Sequence, residues 1–392
     1  MESAETVDVA SVAALLRPLL DKRPRTRAEI AAETGFARST VRSRLDALLE
    51  SGLVVDVGSD VSTGGRPAGR FAFNPGARHV LAVEVGATHA TIAVTDLACR
   101  PIALEDVGLR IGEGPEAILA LVVARWRGLL DVVDGAPVAG VGIGLPGPVE
   151  HATGRPFNPP IMPGWNGFDV PTLVRAEFDV PVMVDNEVNL MALGEHTTSF
   201  PDVDHMIVVK AATGIGAGLI SNGLLHRGAV GAAGDVGHIQ APRGGDAPCR
   251  CGNTGCLEAV AGGPALAAGL KALGEDASGV DDVVRLVHSG SLAATRAVRE
   301  AGRDIGDVLA GCVSMFNPSL IVVGGQLAAA GEMLLAGVRE SVYRRSLPLA
   351  TENLRILASG TGRQAGVRGA AAMVVNHVLS PEVLDAGSAR AW

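Results

Sequence analysis

Three of the chain's five cysteines, Cys249, Cys251 and Cys256, stand within eight residues of one another. Whatever surrounds them must fold so that three thiols share one corner, joined either by bridges or by a metal. So tight a cluster reads as a metal site rather than a disulfide framework. The chain does not open with a positively charged start followed by an apolar run, so no secretion signal is expected. It has no uninterrupted apolar stretch long enough to span a bilayer. The expectation is a cytoplasmic protein that makes no use of a membrane, and in a reducing compartment clustered thiols favour metal over bridges. Cys99 and Cys312 lie in apolar surroundings and read as core.

A length of 392 residues predicts two or three domains, and 47% hydrophobic against 19% charged residues supplies a sizeable core. Aromatics are only 3%, so that core must be mostly Ala, Val, Leu and Ile. The 51 glycines fall largely in short clusters, as the turns of an α/β fold do. Residues 79–85 and 90–96 read as adjacent strands joined by the turn Gly86-Ala87-Thr88. Buried strands are expected at 138–144, 182–184, 206–211 and 320–323, and helices at 115–133, 187–196, 264–273, 293–315 and 364–378. This alternation predicts α/β architecture. No short tandem repeat is visible, and the tail 380–392 is expected to be poorly ordered.

The first 75 residues follow a different pattern. Residues 9–21 have apolar positions at helical spacing, but Pro18 fits poorly in a helix interior, which predicts a kink or a late start. Thr26 and Glu29 have the spacing of a capping box. They open a helix over 27–33 that ends at Thr34-Gly35, with Ala28, Ile30, Ala31 and Ala32 turned inward. A second helix runs from about 37–39 to 51–52, with Val41, Leu45, Leu48 and Leu49 as its apolar stripe. Its other face carries Arg38, Ser39, Thr40, Arg42, Ser43 and Arg44, residue types that suit base edges and phosphates. Strands at 53–55 and 70–73 would flank a wing at Gly64-Gly65-Arg66-Pro67, placing Arg66 near backbone or minor groove, and 74–76 would be a linker. The net charge of −9 argues against indiscriminate coating of nucleic acid. Between Lys22 and Arg44, however, seven basic residues face only Glu29 and Glu33, which suggests one dedicated phosphate-facing surface. The plainer alternatives are a small helical domain with a solvated basic face, and Ser39-Thr40 acting only as an N-cap.

Beyond residue 76 four motifs resemble the ROK family, which groups sugar kinases with sugar-responsive repressors. They are Glu84-Val85-Gly86-Ala87-Thr88, then Asp185-Asn186-Glu187-Val188-Asn189, then Thr213-Gly214-Ile215-Gly216-Ala217-Gly218, and finally Gly237-His238 with Cys249-Arg250-Cys251-Gly252-Asn253-Thr254-Gly255-Cys256-Leu257-Glu258. Gly324-Gly325 is similar to the family's adenosine-side loop. The resemblance implies a winged helix-turn-helix over 1–75 followed by a two-lobed actin/hexokinase-like duplicated α/β fold. The lobes would span 76–195 and 196–363, with the helix near 364–378 packing back on the first.

The same resemblance implies a sugar pocket lined by Asn186, Glu187, Asp235, His238 and Glu258, and phosphate loops containing Glu84, Gly86, Thr88, Thr213, Gly214 and Gly216. It implies His238, Cys249, Cys251 and Cys256 as a closed, structural Zn²⁺ set. One His238 nitrogen would bind the ion while the other donates to a sugar hydroxyl. Three positions depart from the family kinases: Glu84 and Glu187 stand where those have Asp, Glu187 at the general-base position, and Asp235 stands where they have Glu. Changes on this scale disturb catalytic geometry. Trp165 flanks the pocket or, more plainly, packs in the core. The expectation is a sequence-specific DNA-binding regulator, a repressor by default, that responds to a sugar bound in a degenerate kinase cleft and is not an enzyme. Its partners would be a double-stranded DNA operator, a carbohydrate-like ligand and itself, as a homodimer or homotetramer. An ATP-dependent sugar kinase that also binds DNA is the second reading, and a protein whose body only oligomerises is the third.

Overall fold

In the computed structural model, which describes residues 11–59 and 68–385, the apolar runs after residue 76 form two five-stranded sheets. The first has the spatial order Val182–Asn186, Val138–Leu145, His79–Val85, His89–Asp96, Pro101–Gly108. Its central strand pairs antiparallel with the hairpin partner on one side and parallel with Val138–Leu145 on the other. The second sheet has the order Arg355–Ala358, Leu320–Gly324, Met206–Ala211, Ile215–Ser221, Leu224–His226. Its directions follow the same plan. The fold is thus duplicated although no repeat is visible in the sequence. Both central strands are almost wholly buried, which explains their near-continuous apolar runs. The edge strand Pro101–Gly108 alternates between exposed and half-buried positions.

Two helices, Glu187–Ser199 and Ala365–Val378, pack on each other and on the strands of the sheets. Residues 188–195 are all buried, so over these two turns the helix has no solvent face to give it an amphipathic signature. The crossing is a backbone-to-backbone contact. A Cβ on Gly194 would stand 1.9 Å from the carbonyl oxygen of Ala365, and one on Gly369 would stand 1.7 Å from that of Leu190. Glu195, buried on the same helix, accepts hydrogen bonds from Ser359 Oγ and, at 2.6 Å, from Thr361 Oγ1.

Several elements differ from the sequence expectation. Ile215–Ser221 is a strand, where its glycines suggested only a loop. Glycine in a strand marks close approach of another element, and here Gly218 lies against the Val188 carbonyl and the Ala192 side chain. Helices Val170–Phe178, Val280–His288 and Glu332–Arg345 and the strands Pro101–Gly108 and Arg355–Ala358 were not anticipated. The region beyond 380 opens with the helical turn Pro381–Leu384, whose Leu384 is buried. Trp165 is core: it is fully buried, and its Nε1 donates to the Ile111 carbonyl at 3.2 Å.

The amino-terminal unit is a winged helix-turn-helix. Helix Val12–Leu16 gives way to a 3-10 turn at Arg17–Asp21, which accommodates Pro18. Thr26 and Glu29 form the reciprocal capping box of helix Arg27–Thr34. Of the four residues expected inside on that helix, Ile30 is buried and Ala31 half-buried, whereas Ala28 and Ala32 are exposed. Each lies two residues from Ile30, about 200° around the axis, so a helix with one covered face cannot bury all of them. Helix Arg38–Glu50 buries Val41, Leu45 and Leu48. Strand Gly69–Phe73 pairs with both Arg25–Thr26 and Val54–Ser59. The wing tip with Arg66 lies outside the described residues. The expected linker is a short 3-10 turn, Pro75–Ala77, held at its amino end to the segments on either side: Asn74 Nδ2 donates to the Gly52 carbonyl at 3.0 Å, and Leu97 N donates to that of Pro75 at 2.9 Å.

Gly194→Ala is expected to destabilise the fold by about 3 kcal/mol, because the new methyl meets backbone that cannot yield. Gly128→Ala, on an exposed helix face with nothing within 4 Å, should be neutral or stabilise by up to about 1 kcal/mol. Urea unfolding followed by circular dichroism compares them, and equal midpoints would refute the tight crossing.

Candidate ligand cleft, metal cluster and nucleic-acid interface

The two sheets and their connecting loops enclose a cavity of about 850 Å³, large enough for a small-molecule ligand. Every residue assigned above to the sugar pocket or the phosphate loops lines it, as do Gly324 and Gly325. The structure therefore brings together residues from five separate stretches of sequence.

Asn186 caps helix Glu187–Ser199. Its Oδ1 accepts from the amides of Val188 at 2.8 Å and Asn189 at 3.3 Å, and its Nδ2 donates to the Gly147 carbonyl at 2.8 Å. These bonds leave one amide hydrogen for a ligand. Asp185, which sequence reasoning gave no separate role, is buried and accepts from Asn189 Nδ2 at 2.9 Å and Arg227 Nε at 2.6 Å, fixing the strand end that presents Asn186. Glu258 accepts from the Ile215 amide at 3.2 Å, which ties it to the glycine-rich turn before that strand. Asp235 lines the cavity from an exposed position.

Lys210, whose place near a strand end gives no signal of a role in the sequence, organises the floor of the cleft. Its Nζ lies 2.6 Å from Glu187 Oε2 and 3.4 Å from Glu84 Oε1. Burial alone would push the lysine toward its neutral form, but the two carboxylates outweigh it and raise its pKa. Burial raises the pKa of Glu84, Lys210 opposes the shift, and the like charge of Glu187 adds to it. Glu84 also lies against Gly366, where a Cβ would stand 2.0 Å from Oε2. Burial, with Lys210 and Arg363 nearby, lowers the pKa of His89 at the mouth of the first turn.

His238, Cys249, Cys251 and Cys256 place one donor atom each within 4.8 Å of all the others. The sulfurs of Cys251 and Cys256 are 3.7 Å apart, far beyond a disulfide, and Cys249 Sγ is 3.5 Å from His238 Nδ1. Tetrahedral coordination with bonds of about 2.3 Å to sulfur and about 2.05 Å to nitrogen gives edges of roughly 3.8 and 3.6 Å. The donor set fits a four-coordinate metal. Cys256 precedes helix Leu257–Ala261, so the cluster also fixes Glu258, and His238 belongs to both cluster and cavity.

On helix Arg38–Glu50 the residues Arg38, Ser39, Arg42, Ser43 and Arg44 are exposed, and Thr40 is half-buried. Ala37 is the N-cap and makes no side-chain cap bond, so Ser39 and Thr40 are not the cap. The basic face is less uniform than the sequence suggested. Arg25 is held internally by Asp21 at 2.6 Å and Glu33 at 2.9 Å. Arg27 stacks 4.5 Å over the Phe71 ring, and Asp46 sits 3.7 Å from Arg27 and 4.0 Å from Arg42. Among the described residues, no helix is long and apolar enough to cross a membrane.

Residues 80–377 match the family described as ROK family. A xylose repressor of Caldicellulosiruptor bescii is 30% identical over 93% of this chain and 95% of its own length. The DNA-binding transcriptional dual regulator NagC of Escherichia coli K12 is 28% identical over 98% and 96%. The crystal structure of a ROK family transcriptional regulator, a homologue of the E. coli MLC protein, has the same fold, with a TM-score of 0.82 over 97% of this chain, 98% of its own, and 23% identity. A ROK family glucokinase from Streptomyces griseus, in complex with glucose and AMPPNP, gives 0.67 over 75% of this chain and 98% of its own at 28% identity. With its family match spanning both sheets and the helices between them, this chain belongs to the ROK family.

Proposed function

We propose that the chain is a sugar-responsive transcriptional repressor whose kinase-like body senses its ligand instead of phosphorylating it. One observation carries the reading: a winged helix-turn-helix with an exposed Arg/Ser face is joined, without a slack linker, to a cleft lined by Asn186, Glu187, Asp235, His238 and Glu258. Relatives of matching length, one named as a xylose repressor and one as a DNA-binding transcriptional dual regulator, support it. Only the first of those names contains a sugar, and it belongs to a relative 30% identical, so a polar, multiply hydroxylated ligand is as far as the class goes. Arg38, Ser39, Thr40, Arg42, Ser43 and Arg44 would read or hold the operator, with Arg66 reaching from the wing. Two copies would present two heads to half-sites one helical turn apart or a multiple of it. The chain would be organised as a head over 1–75 and lobes over 76–195 and 196–363.

Ligand shifts DNA occupancy only if it binds the two arrangements of the head with different affinity. Gel-shift titration against the chain's own upstream DNA, with a panel of pentoses, hexoses and N-acetylhexosamines, tests this. One sugar is expected to weaken binding about 5- to 150-fold. No sequence preference in the absence of sugar would defeat the reading. Arg42→Ala should weaken operator binding about tenfold with relaxed specificity if it reads a base, or lower the salt slope by about one if it holds a phosphate.

An active ATP-dependent sugar kinase is the second reading, favoured by the shared fold with the Streptomyces griseus glucokinase. Robust ADP release with any sugar, abolished by Glu187→Gln, would replace the first reading with this one.

We infer that the metal is zinc and structural, because Cys₃His leaves no position open for water. Bound there, zinc supplies rigidity and no reaction chemistry. His238 Nδ1 faces the thiols, which leaves Nε2 to donate to a ligand. Elemental analysis should find about one zinc per chain. Cys251→Ser should lose it, lower the unfolding temperature and blunt the sugar response, and a zinc-free native protein would defeat the assignment.

A further inference from the structure

The duplicated topology puts Glu84 and Lys210 in equivalent places. Each is the penultimate residue of the central strand of its sheet, His79–Val85 in one and Met206–Ala211 in the other. The two side chains meet across the cleft, and Glu187, first residue of the helix between the sheets, closes the group from a third direction. Lys210, Glu84 and Glu187 are 13%, 16% and 12% exposed, so the ammonium and both carboxylates are largely withdrawn from water.

We propose that Lys210 is a built-in cation that takes the place of a divalent metal at the phosphate corner of the cleft, so that the cleft excludes metal-nucleotide and responds to carbohydrate alone. The inference rests on the proposed function and names the residue that sets its ligand specificity. Phosphoryl transfer needs a divalent ion bridging phosphate oxygens, held by protein oxygen ligands, and a base free to take the proton of the attacking hydroxyl. The glycine-rich turns at Gly86 and Gly214 would otherwise suit phosphates, and Glu84 and Glu187 would suit the ion and the proton. Lys210 engages both carboxylates at once. A second cation entering a site this sheltered meets the fixed ammonium in a low-dielectric setting, where repulsion is little screened. It would also have to strip a carboxylate from its partner. Arg363, which lines the same corner, adds positive charge. The sugar-facing groups His238 and Glu258 are anchored by the metal cluster and the Ile215 amide, so this lock leaves them free to act.

The test uses the full-length, zinc-replete protein. Mn²⁺ is titrated with and without AMPPNP and followed by electron paramagnetic resonance, for the wild type, Lys210→Met, Lys210→Gln and Lys210→Arg. Wild type and Lys210→Arg are expected to take up neither Mn²⁺ nor Mn-AMPPNP at millimolar concentration. The neutral variants should gain Mn²⁺ affinity by about tenfold or more, because two facing carboxylates without a counter-ion attract a cation. Adding Glu84→Gln to Lys210→Met should remove that gain. Stoichiometric uptake of Mn-AMPPNP by the wild type would overturn the proposal, as would two folded neutral variants that gain nothing. If one neutral variant fails to fold, the other and the wild type still decide. Sugar-dependent release from DNA, measured on the same wild-type preparation, checks the proposed function separately. A protein that ignores sugar yet excludes metal-nucleotide loses that reading and keeps the lock.

Discussion

The crossing of Glu187–Ser199 with Ala365–Val378 is the contact on which the rest of the molecule depends. Gly194 and Gly369 let two helix backbones touch where any side chain would collide with a carbonyl oxygen. Such a contact cannot be loosened a little: packed interiors move between discrete arrangements and do not deform continuously. Three consequences radiate from it. The first helix carries Asn186 and Glu187 into the cleft at its amino end. The second presents Gly366 as the flat surface against which Glu84 lies. Glu195, beside Gly194, ties the loop at Ser359–Thr361 to the same helix. Position of the ligand-facing groups and position of the lobes are therefore one variable.

That variable extends into the DNA-reading head. A single apolar cluster contains Leu15, Leu16, Leu19, Phe71 and Phe73 of the winged unit together with Leu190, Val367, Ala370 and Val374 of the crossing helices. Leu384 joins it from the carboxy-terminal turn, and Asp385 accepts a hydrogen bond from the Val12 amide at 2.7 Å. A head hung on a flexible linker would be indifferent to lobe movement, because slack absorbs displacement. Here the connection is a hydrogen-bonded 3-10 turn backed by shared core, so a movement at the crossing would reach the head as packing strain.

The sequence disclosed those features whose signal is local. The Thr26–Glu29 capping box, the buried stripe Val41–Leu45–Leu48 and the run at 206–211 each follow from spacing within a dozen residues, and the structure has each. The cleft residues were legible only because family motifs mark four distant stretches together. What escaped depends on partners far along the chain. Ile215–Ser221 looks like a loop until Val188 and Ala192 are known to press on Gly218. Lys210 looks like an ordinary residue near a strand end until Glu84 and Glu187, from two other elements, are placed around it. Arg25 counts as a phosphate ligand until Asp21 and Glu33 claim it, and Ala28 and Ala32 look internal until the helix is seen to have one covered side. Charge and burial are tertiary properties, and a linear reading assigns them by residue type alone.

The metal cluster and the lysine triad divide the cleft by physical character. On the proposed carbohydrate side, coordination would fix His238 and the helix bearing Glu258, so the groups proposed to meet hydroxyls would be rigid before ligand arrives, and binding would waste little free energy on ordering them. On the side of the glycine-rich turns, Lys210 is held by charge between elements of both sheets and the crossing helix. A charge pair with little water around it resists separation strongly. The proposed sensing role needs both properties. A ligand can bias lobe arrangement only through contacts that differ between arrangements, and a rigid sugar side facing Glu187 across a charge-locked floor would concentrate that difference on one residue. Glu187 is shared: it opens the crossing helix, pairs with Lys210 and lines the cavity. A ligand hydroxyl competing for its carboxylate would act directly on the helix whose glycine contact packs against Ala365–Val378.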